Sequence, residues 1–477
     1  MSRGETHPAA RTAAPAGDVL PAINPADGTE IATLPLAAPE ELDRAVQAAA
    51  DAQAQPGWAA PSARAAALSA IAAGIEAEAD RLATLECLDT GKPISQARAD
   101  VEAAVRYFRY YAGAADKIHG TSIPLGPGYV DYTVREPWGV CGQIIPWNYP
   151  LQVAARCVAP ALAAGNAVVL KPSEEASLTP VELGRIAAEA GLPDGLLHVL
   201  VGRGDIGAAL VAHGGVSHVT FVGSPRTGTA VLHAAAERLV PVELELGGKS
   251  PNVVFADADL DRAAEGAVRS LIQNAGQSCS AGSRLLVERG AEEQLLERVV
   301  ERFRSLELGP GIEDAALGPL VSQRQLDHAE GMIRRAVEQG SGTLTTGGKR
   351  PDGHAFAQGF YLEPTLFTDV AVASELWNEE VFGPVLAVRT FEGEDEAVRL
   401  ANSTVYGLVA AVWTSDVGRA LRVAGRIAAG QVYVNGYGVG GGVEIPFGGY
   451  KRSGFGRGKG MEALIAYTQI KNVCVTL

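Results

Sequence analysis

A cysteine in a loop is the residue here with the most immediate chemistry. Cys279 lies in NAGQSCSAG at 274–282, a stretch of small residues and glycines just after a helical pattern, where substrate can reach it. A thiol with a pKa near 8.5 is only a few per cent thiolate at neutral pH, yet it needs modest help to attack a carbonyl. A lone cysteine is more often a small buried hydrophobe, but the polar, glycine-rich context favours an accessible thiol. Glu245, in VELELGGKSPN at 242–252, ends an alternating strand pattern directly before two glycines, which puts a carboxylate at a strand end. Glu243 shares its face, because side chains alternate with period two. The acid beside the glycine turn is the one presented to a cleft, and from this segment alone a solvated strand-end acid is an equal reading. Asn148, in IIPWNYP at 144–150, is an amide donor that can meet an oxyanion or simply shape a turn.

Other segments offer binding groups. GSPRTG at 223–228 follows the strand-like HVTFV and opens a helical run, so its backbone amides can face a pyrophosphate, although the full GxGxxG is absent and a plain turn is the simpler reading. Lys171 and Glu174, in VVLKPSE, also follow a strand, where a lysine and an acid can hold ribose hydroxyls or form a surface pair. GGKS is not a phosphate-binding loop, since the first glycine of GxxxxGK[ST] would fall on Glu243.

These groups need a large scaffold, and 477 residues are enough for two or three units. The net charge of −15 is spread along the chain without a basic stripe, which argues against nucleic acid as a partner. Five cysteines, at 87, 141, 157, 279 and 474, form neither a CxxC pair nor a Cys/His cluster, so no disulfide framework and no metal site are expected. No apolar run is long enough to span a membrane, and residues 1–17 read as a flexible tail rather than a secretory signal. Reduced thiols in a cytoplasm are expected.

Helical spacing runs from about 38 to 120, in PEELDRAVQAAADA and again from Ile71 to Leu88. From about 139 strands alternate with helices, the cadence of a doubly wound parallel sheet, and a second α/β region begins near 250. The expected division is a Rossmann-like NAD-binding domain over 18–118 and 138–247, a catalytic α/β domain over 248–445, and a small β oligomerisation element over 119–137 and 446–477.

Taken together, PWNYP, LKPSE, FVGSPRTG, LELGGKSP, GQSCSAG, EEVFGP at 379–384 and PFGGYKRSGFGR at 446–457 resemble the aldehyde dehydrogenase superfamily, in that family's order, from about residue 20 to the C-terminus. The resemblance implies Cys279 as nucleophile, Glu245 as general base, and an oxyanion hole from Asn148 and the Cys279 backbone amide. It implies cofactor contacts from Ile145, Trp147, Lys171, Glu174, Gly204, Gly223, Ser224, Gly247, Glu380 and Phe382, and a pocket with Tyr149, Val153 and Arg156. A carboxylate at 174 accepts from a ribose 2′-hydroxyl and repels a 2′-phosphate, which favours NAD over NADP. The implied reaction oxidises an aldehyde, polar or a semialdehyde, to its acid through a thioester on Cys279, in a homodimer or homotetramer. Relatives that hand the thioester to coenzyme A typically lack the glutamate at 245, and crystallin-like relatives lack activity; these are the alternatives.

Two positions depart from the family pattern. Gly458 stands where many relatives carry a glutamate proposed to relay protons, and Cys157 where lysine is common. Both leave the route by which Glu245 loses its proton open, and they predict deacylation slower than in Gly458→Glu. Arg156 can clamp a distal carboxylate bidentately or form an internal ion pair, while Gln273 stands where carboxylate-selective relatives can place a second arginine.

Overall fold

The computed structural model describes residues 18–438 and 442–477. The expected tail at 1–17 lies outside the described residues. Val19–Ile23 and Glu30–Pro35 form an antiparallel pair, followed by helices from Pro39 to Ala114. In the first, Pro39–Gln53, the buried residues Leu42, Ala45, Val46, Ala49 and Ala52 recur at helical spacing, and the Glu41 carboxylate accepts from the Ala38 amide at 2.7 Å.

Two main sheets follow. The first has the spatial order Gly454–Phe455, Val242–Glu245, His218–Val222, Val140–Ile144, Ala167–Lys171, Leu197–Val199, with every pair parallel except the first. Ala167–Lys171 and His218–Val222 are buried throughout, which explains why their sequences are continuous apolar runs. Register sets Ile144 against Lys171 and Phe221, and Val222 against Glu245. The carboxyl ends of four strands therefore meet along one edge, where open α/β sheets place ligands. Helices from the N-terminal third share one apolar core with this sheet.

The second sheet has the order Thr343–Thr346, Thr365–Thr368, Val385–Phe391, Arg284–Glu288, Pro251–Val254, Val409–Trp413, Gln431–Val434, parallel apart from the first pair. Five residues, 246–250, separate the end of Val242–Glu245 in the first sheet from Pro251–Val254 in the second, so one short glycine-containing turn joins the two.

Tyr129–Pro137 pairs antiparallel with Thr468–Thr476 over nine residues. The segment 446–477 is divided, however: Gly454–Phe455 adds an edge strand beside Val242–Glu245, and only Thr468–Thr476 enters the small sheet. A two-residue strand is too short to leave a periodic signal.

Candidate active site

The helix Leu260–Ile272 is capped by the Asp259 side chain and gives way to a turn in which Asn274, Ala275 and Gly276 all have positive φ, at 48°, 53° and 78°. Left-handed backbone costs a non-glycine residue about 1–3 kcal/mol. Hydrogen bonds hold it: the Asn274 amide donates to Gln96 Oε1 at 2.9 Å, and Asn274 Nδ2 donates to the Asn148 carbonyl at 2.8 Å. At Gly276 a Cβ would stand 2.7 Å from the Pro384 nitrogen, so only glycine fits. Gln277, fully buried, accepts from the Val321 amide at 2.9 Å through its side chain, while its backbone carbonyl accepts from Asn148 Nδ2 at 2.9 Å.

Two residues later comes Cys279, half-buried, a free thiol packed against Leu408, Val409, Phe447, Tyr433 and Tyr437. Burial pushes its pKa up to about 12; Arg156 draws it down, and the carboxylates of Glu380 and Glu245 push it up. The resting group is a thiol that a nearby base must help.

Glu245 ends its strand 3% exposed; neither carboxylate oxygen has a hydrogen-bond partner within 3.5 Å among the described residues, although the Gly458 amide is near enough to draw its pKa down. Burial raises its pKa to about 8, with Arg156 acting against the rise and Glu243 adding to it. The glycines that follow are required by close approach. A Cβ on Gly247 would collide with the Glu380 carboxylate and one on Gly248 with the Cys279 carbonyl, and the Gly248 amide donates to Glu380 Oε1 at 3.0 Å.

Asn148 is 4% exposed and is held by the two bonds above, which leave the second hydrogen of its amide free to donate. Tyr149 and Pro150 open the helix Pro150–Ala163. Beneath them lies a buried ionic cluster that the sequence reading missed. Lys92 Nζ stands 3.0 Å from Glu86 Oε1, 2.5 Å from Asp100 Oδ2 and 4.6 Å from the centre of the Tyr149 ring. Glu86 Oε2 accepts from the Thr179 hydroxyl at 2.5 Å and the Leu151 amide at 3.4 Å, an anion at a helix N-terminus. No local pattern singled these residues out: Glu86 and Asp100 lie on helices that carry other charges, and Lys92 lies in the turn between them, so only burial shows that they must be partners.

Of the residues expected at the cofactor, Ile145, Trp147, Lys171, Glu174, Gly204, Gly223, Ser224 and Gly247 end or follow strands of the first sheet, whereas Glu380 and Phe382 precede the second-sheet strand Val385–Phe391. Lys171, buried, is 3.2 Å from Glu174, whose carboxyl is held below its usual range: burial opposes this, but its own backbone amide and Lys171 prevail. Ile145 is buried just past its strand. Gly223 follows Val222, and Ser224 caps the helix Pro225–Ala236 through the Thr227 amide at 3.3 Å. Gly204 starts the helix Gly204–Ala212, apart from the Cys279 loop. Trp147 and Phe382 meet edge to face at 5.3 Å, joining the two sheets' loops, and Phe382 has a φ of 54°. A buried lysine, an acid and helix N-termini along one edge suit a dinucleotide's ribose and phosphates.

In the expected pocket, Val153 is one turn beyond Tyr149, its amide donating to the Tyr149 carbonyl at 2.8 Å. Arg156 is 7% exposed, with its guanidinium carbon 5.4 Å from the Phe447 ring centre. Lys459 Nζ, absent from the sequence reading, lies 5.2 Å from the same ring, and burial lowers its pKa to about 8. Among the described residues no cluster of three His, Cys, Asp or Glu side chains is placed to hold a metal, and no helix is long and apolar enough to cross a membrane.

The chain resembles known proteins over nearly its whole length. Residues 12–473 match the model of the aldehyde dehydrogenase family. Aminoaldehyde dehydrogenase 2, peroxisomal, of Pisum sativum is 44% identical over 95% of this chain and 92% of that protein. Betaine aldehyde dehydrogenase of Cereibacter sphaeroides is 45% identical over 96% and 94% respectively. The NAD+ complex of an aldehyde dehydrogenase from Bacillus cereus superposes with a TM-score of 0.94 at 39% identity, covering 96% of this chain and 94% of that one. With a loop thiol, a strand-end carboxylate and an amide donor converging in this fold, the chain belongs to the aldehyde dehydrogenase family.

Proposed function

We propose that this chain oxidises an aldehyde to its carboxylic acid with NAD, through a thioester on Cys279. The observation that carries the reading is the clamp of Asn148 onto the Gln277 carbonyl, two residues before a half-buried free thiol, beside a Glu245 carboxylate without partners. The Cys279 thiol gives its proton to the Glu245 carboxylate as Sγ bonds to the carbonyl carbon, and the resulting oxyanion takes hydrogen bonds from Asn148 Nδ2 and the Cys279 amide; Glu245 must shed that proton before it serves again. NAD, when bound, supplies the acceptor for the hydride. Glu245 then removes a proton from water as the water oxygen attacks the thioester and the carbon–sulfur bond breaks.

Lys171 and Glu174 hold the adenosine ribose in this reading, with Gly223, Ser224 and Gly204 toward the phosphates, and Glu380, Phe382, Trp147, Ile145 and Gly247 around the nicotinamide end. The domain division is read as a cofactor unit on the first sheet, a catalytic unit on the second, and the small sheet as the edge through which a dimer or tetramer forms in the cytoplasm. Exposed Tyr132, Ile470 and Val475 on that sheet support the last point.

The relative from Cereibacter is named for betaine aldehyde, a cation, but this pocket sets Arg156 and Lys459 on the Phe447 ring beside Cys279. A polar or anionic aldehyde suits it better. A panel of aldehydes assayed with NAD and NADP, with acid and acyl-coenzyme A products separated, tests the reading. The free acid as product is expected. Acyl-coenzyme A formed in its place, or no NADH from any aldehyde together with an unlabelled Cys279 thiol, contradicts it.

A further inference from the structure

The base of the proposed reaction, Glu245, sits in a sealed position. It is 3% exposed, its oxygens have no hydrogen-bond partners among the described residues, and each turnover leaves a proton on it that must reach solvent. Gly458 marks the space through which that proton can leave. A Cβ built on Gly458 would stand 3.5 Å from an oxygen of Glu245, 3.5 Å from an oxygen of Glu243 and 3.6 Å from Arg156 Nε. Three ionisable groups therefore converge on one point that carries no side chain, and the two carboxylates are no farther apart than twice that contact. Glu243, itself 4% exposed, packs under an exposed backbone: a Cβ on Gly456 would stand 2.6 Å from Glu243 Cγ, and Gly454–Phe455 is an edge strand of its sheet.

We propose that Glu243 takes the proton from Glu245 across the space left by Gly458 and passes it to solvent beside Gly456, with Arg156 as the cation that lets two buried carboxylates share this site. The inference rests on the assignment of Glu245 as base. In the step, the oxygen–hydrogen bond of the attacking water breaks and its proton bonds to Glu245. That proton passes to a water in the space beside Gly458, which gives one of its own protons to the Glu243 carboxylate; Glu245 returns to its anion, and Glu243 releases the proton to bulk water.

The charge environment agrees. Burial raises Glu243 to about 7 and Glu245 to about 8, while Arg156 and Arg457 draw both down. Two carboxyls of similar proton affinity near neutrality exchange a proton without a large uphill step. The titratable groups facing the pair are Arg156 and Cys157 from the helix Pro150–Ala163, Tyr111 from the helix Ile94–Ala114, Tyr467 after the helix Gly460–Ala466, Arg457 and Lys459 from the glycine-rich loop, and the nucleophile Cys279, which faces Glu245. Tyr111, Tyr467 and Cys157 are pushed up by burial, so none of them is an acceptor near neutral pH. A glutamate at 458 in the native chain would add a third carboxylate to the same space.

The experiment compares the native enzyme with Glu243→Gln, Glu243→Ala, Glu243→Gln combined with Gly458→Glu, and Glu245→Gln, by stopped-flow NADH formation. Glutamine has the shape of the neutral glutamic acid, so Glu243→Gln is expected to fold. In it the first-turnover NADH burst keeps its rate and amplitude, while the linear phase that follows falls by about a hundredfold, the low end for loss of a positioned proton acceptor. Added formate restores the linear phase of Glu243→Ala in a concentration-dependent way, and Gly458→Glu restores that of Glu243→Gln. An unchanged linear phase in Glu243→Gln, a burst slowed in parallel, a loss that neither formate nor Gly458→Glu repairs, or a Glu243→Gln chain that does not fold would each overturn the proposal. A linear phase left at the native rate in Glu245→Gln would instead overturn the assignment of Glu245 on which it rests.

Discussion

Asn148 Nδ2 lies 2.9 Å from the backbone carbonyl of Gln277, so the amide that offers a hydrogen to an oxyanion is tied to the same loop that carries Cys279. The donor and the nucleophile are tied to one loop, and the strained turn at Asn274 and Ala275 is held by the reciprocal bond to the Asn148 carbonyl. Fixed geometry of this kind lets a hydrogen bond act on a developing charge without reorganisation.

Replacing Asn148 by alanine removes that donor and one anchor of the turn. The expected cost is about 2.7–4 kcal/mol of transition-state stabilisation, a fall in kcat of roughly a hundredfold to a thousandfold. Steady-state kinetics with NAD near saturation check it, and a loss confined to KM would contradict an oxyanion role.

Lys92 is expected to matter for stability as much as for rate. Removing its ammonium in Lys92→Met leaves Glu86 and Asp100 buried without their cation, and breaking a buried pair costs about 3–5 kcal/mol. Denaturant unfolding measures this. Because Glu86 also accepts from Leu151 at the start of the helix behind Asn148, a smaller drop in kcat should accompany it.

The rate of thioester hydrolysis should rise with pH through an apparent ionisation near 8, because burial raises Glu245 to about 8 and only its carboxylate accepts a proton from water. The same shift acts on stability with the opposite sign. The folded carboxyl holds its proton when the unfolded one, near 4.3, has lost it, so the contribution of Glu245 is full below about pH 4 and is lost as pH rises toward 8. Thermal melts from pH 5 to 9 should therefore decline less steeply for Glu245→Gln than for the native chain.

Arg156→Ala is expected to lower kcat/KM more for succinic semialdehyde than for a neutral aldehyde of similar length, since a guanidinium 5.4 Å from the Phe447 ring that Cys279 packs on favours a distal carboxylate. Equal losses would confine Arg156 to its place beside Glu245 and Glu243.

Much of this arrangement was legible in the sequence because it depends on local patterns. Alternation in VELEL, apolar runs in AVVLK and HVTFV, and the glycine pair after Glu245 each follow from what a buried strand or a tight approach requires. What escaped depends on distant segments meeting. Glu86 and Asp100 have the look of helix-surface charges, and Lys92 of a turn lysine, until their burial is seen, and Lys459 joins the Phe447 ring only when its loop folds over it. Glu243 was visible as a competitor of Glu245, but that both face the bare Gly458 required the pairing of Gly454–Phe455 with the strand that carries them.

The covalent intermediate on Cys279 is the claim on which the rest depends. Mixing the enzyme with NAD and an oxidisable aldehyde, quenching in acid within the first turnover and weighing the peptides tests it directly. The account predicts one acyl group per chain on the peptide containing Cys279, in step with the NADH burst, and neither in Cys279→Ala. NADH formed at the native rate by Cys279→Ala, or a burst with no acylated peptide, would contradict it.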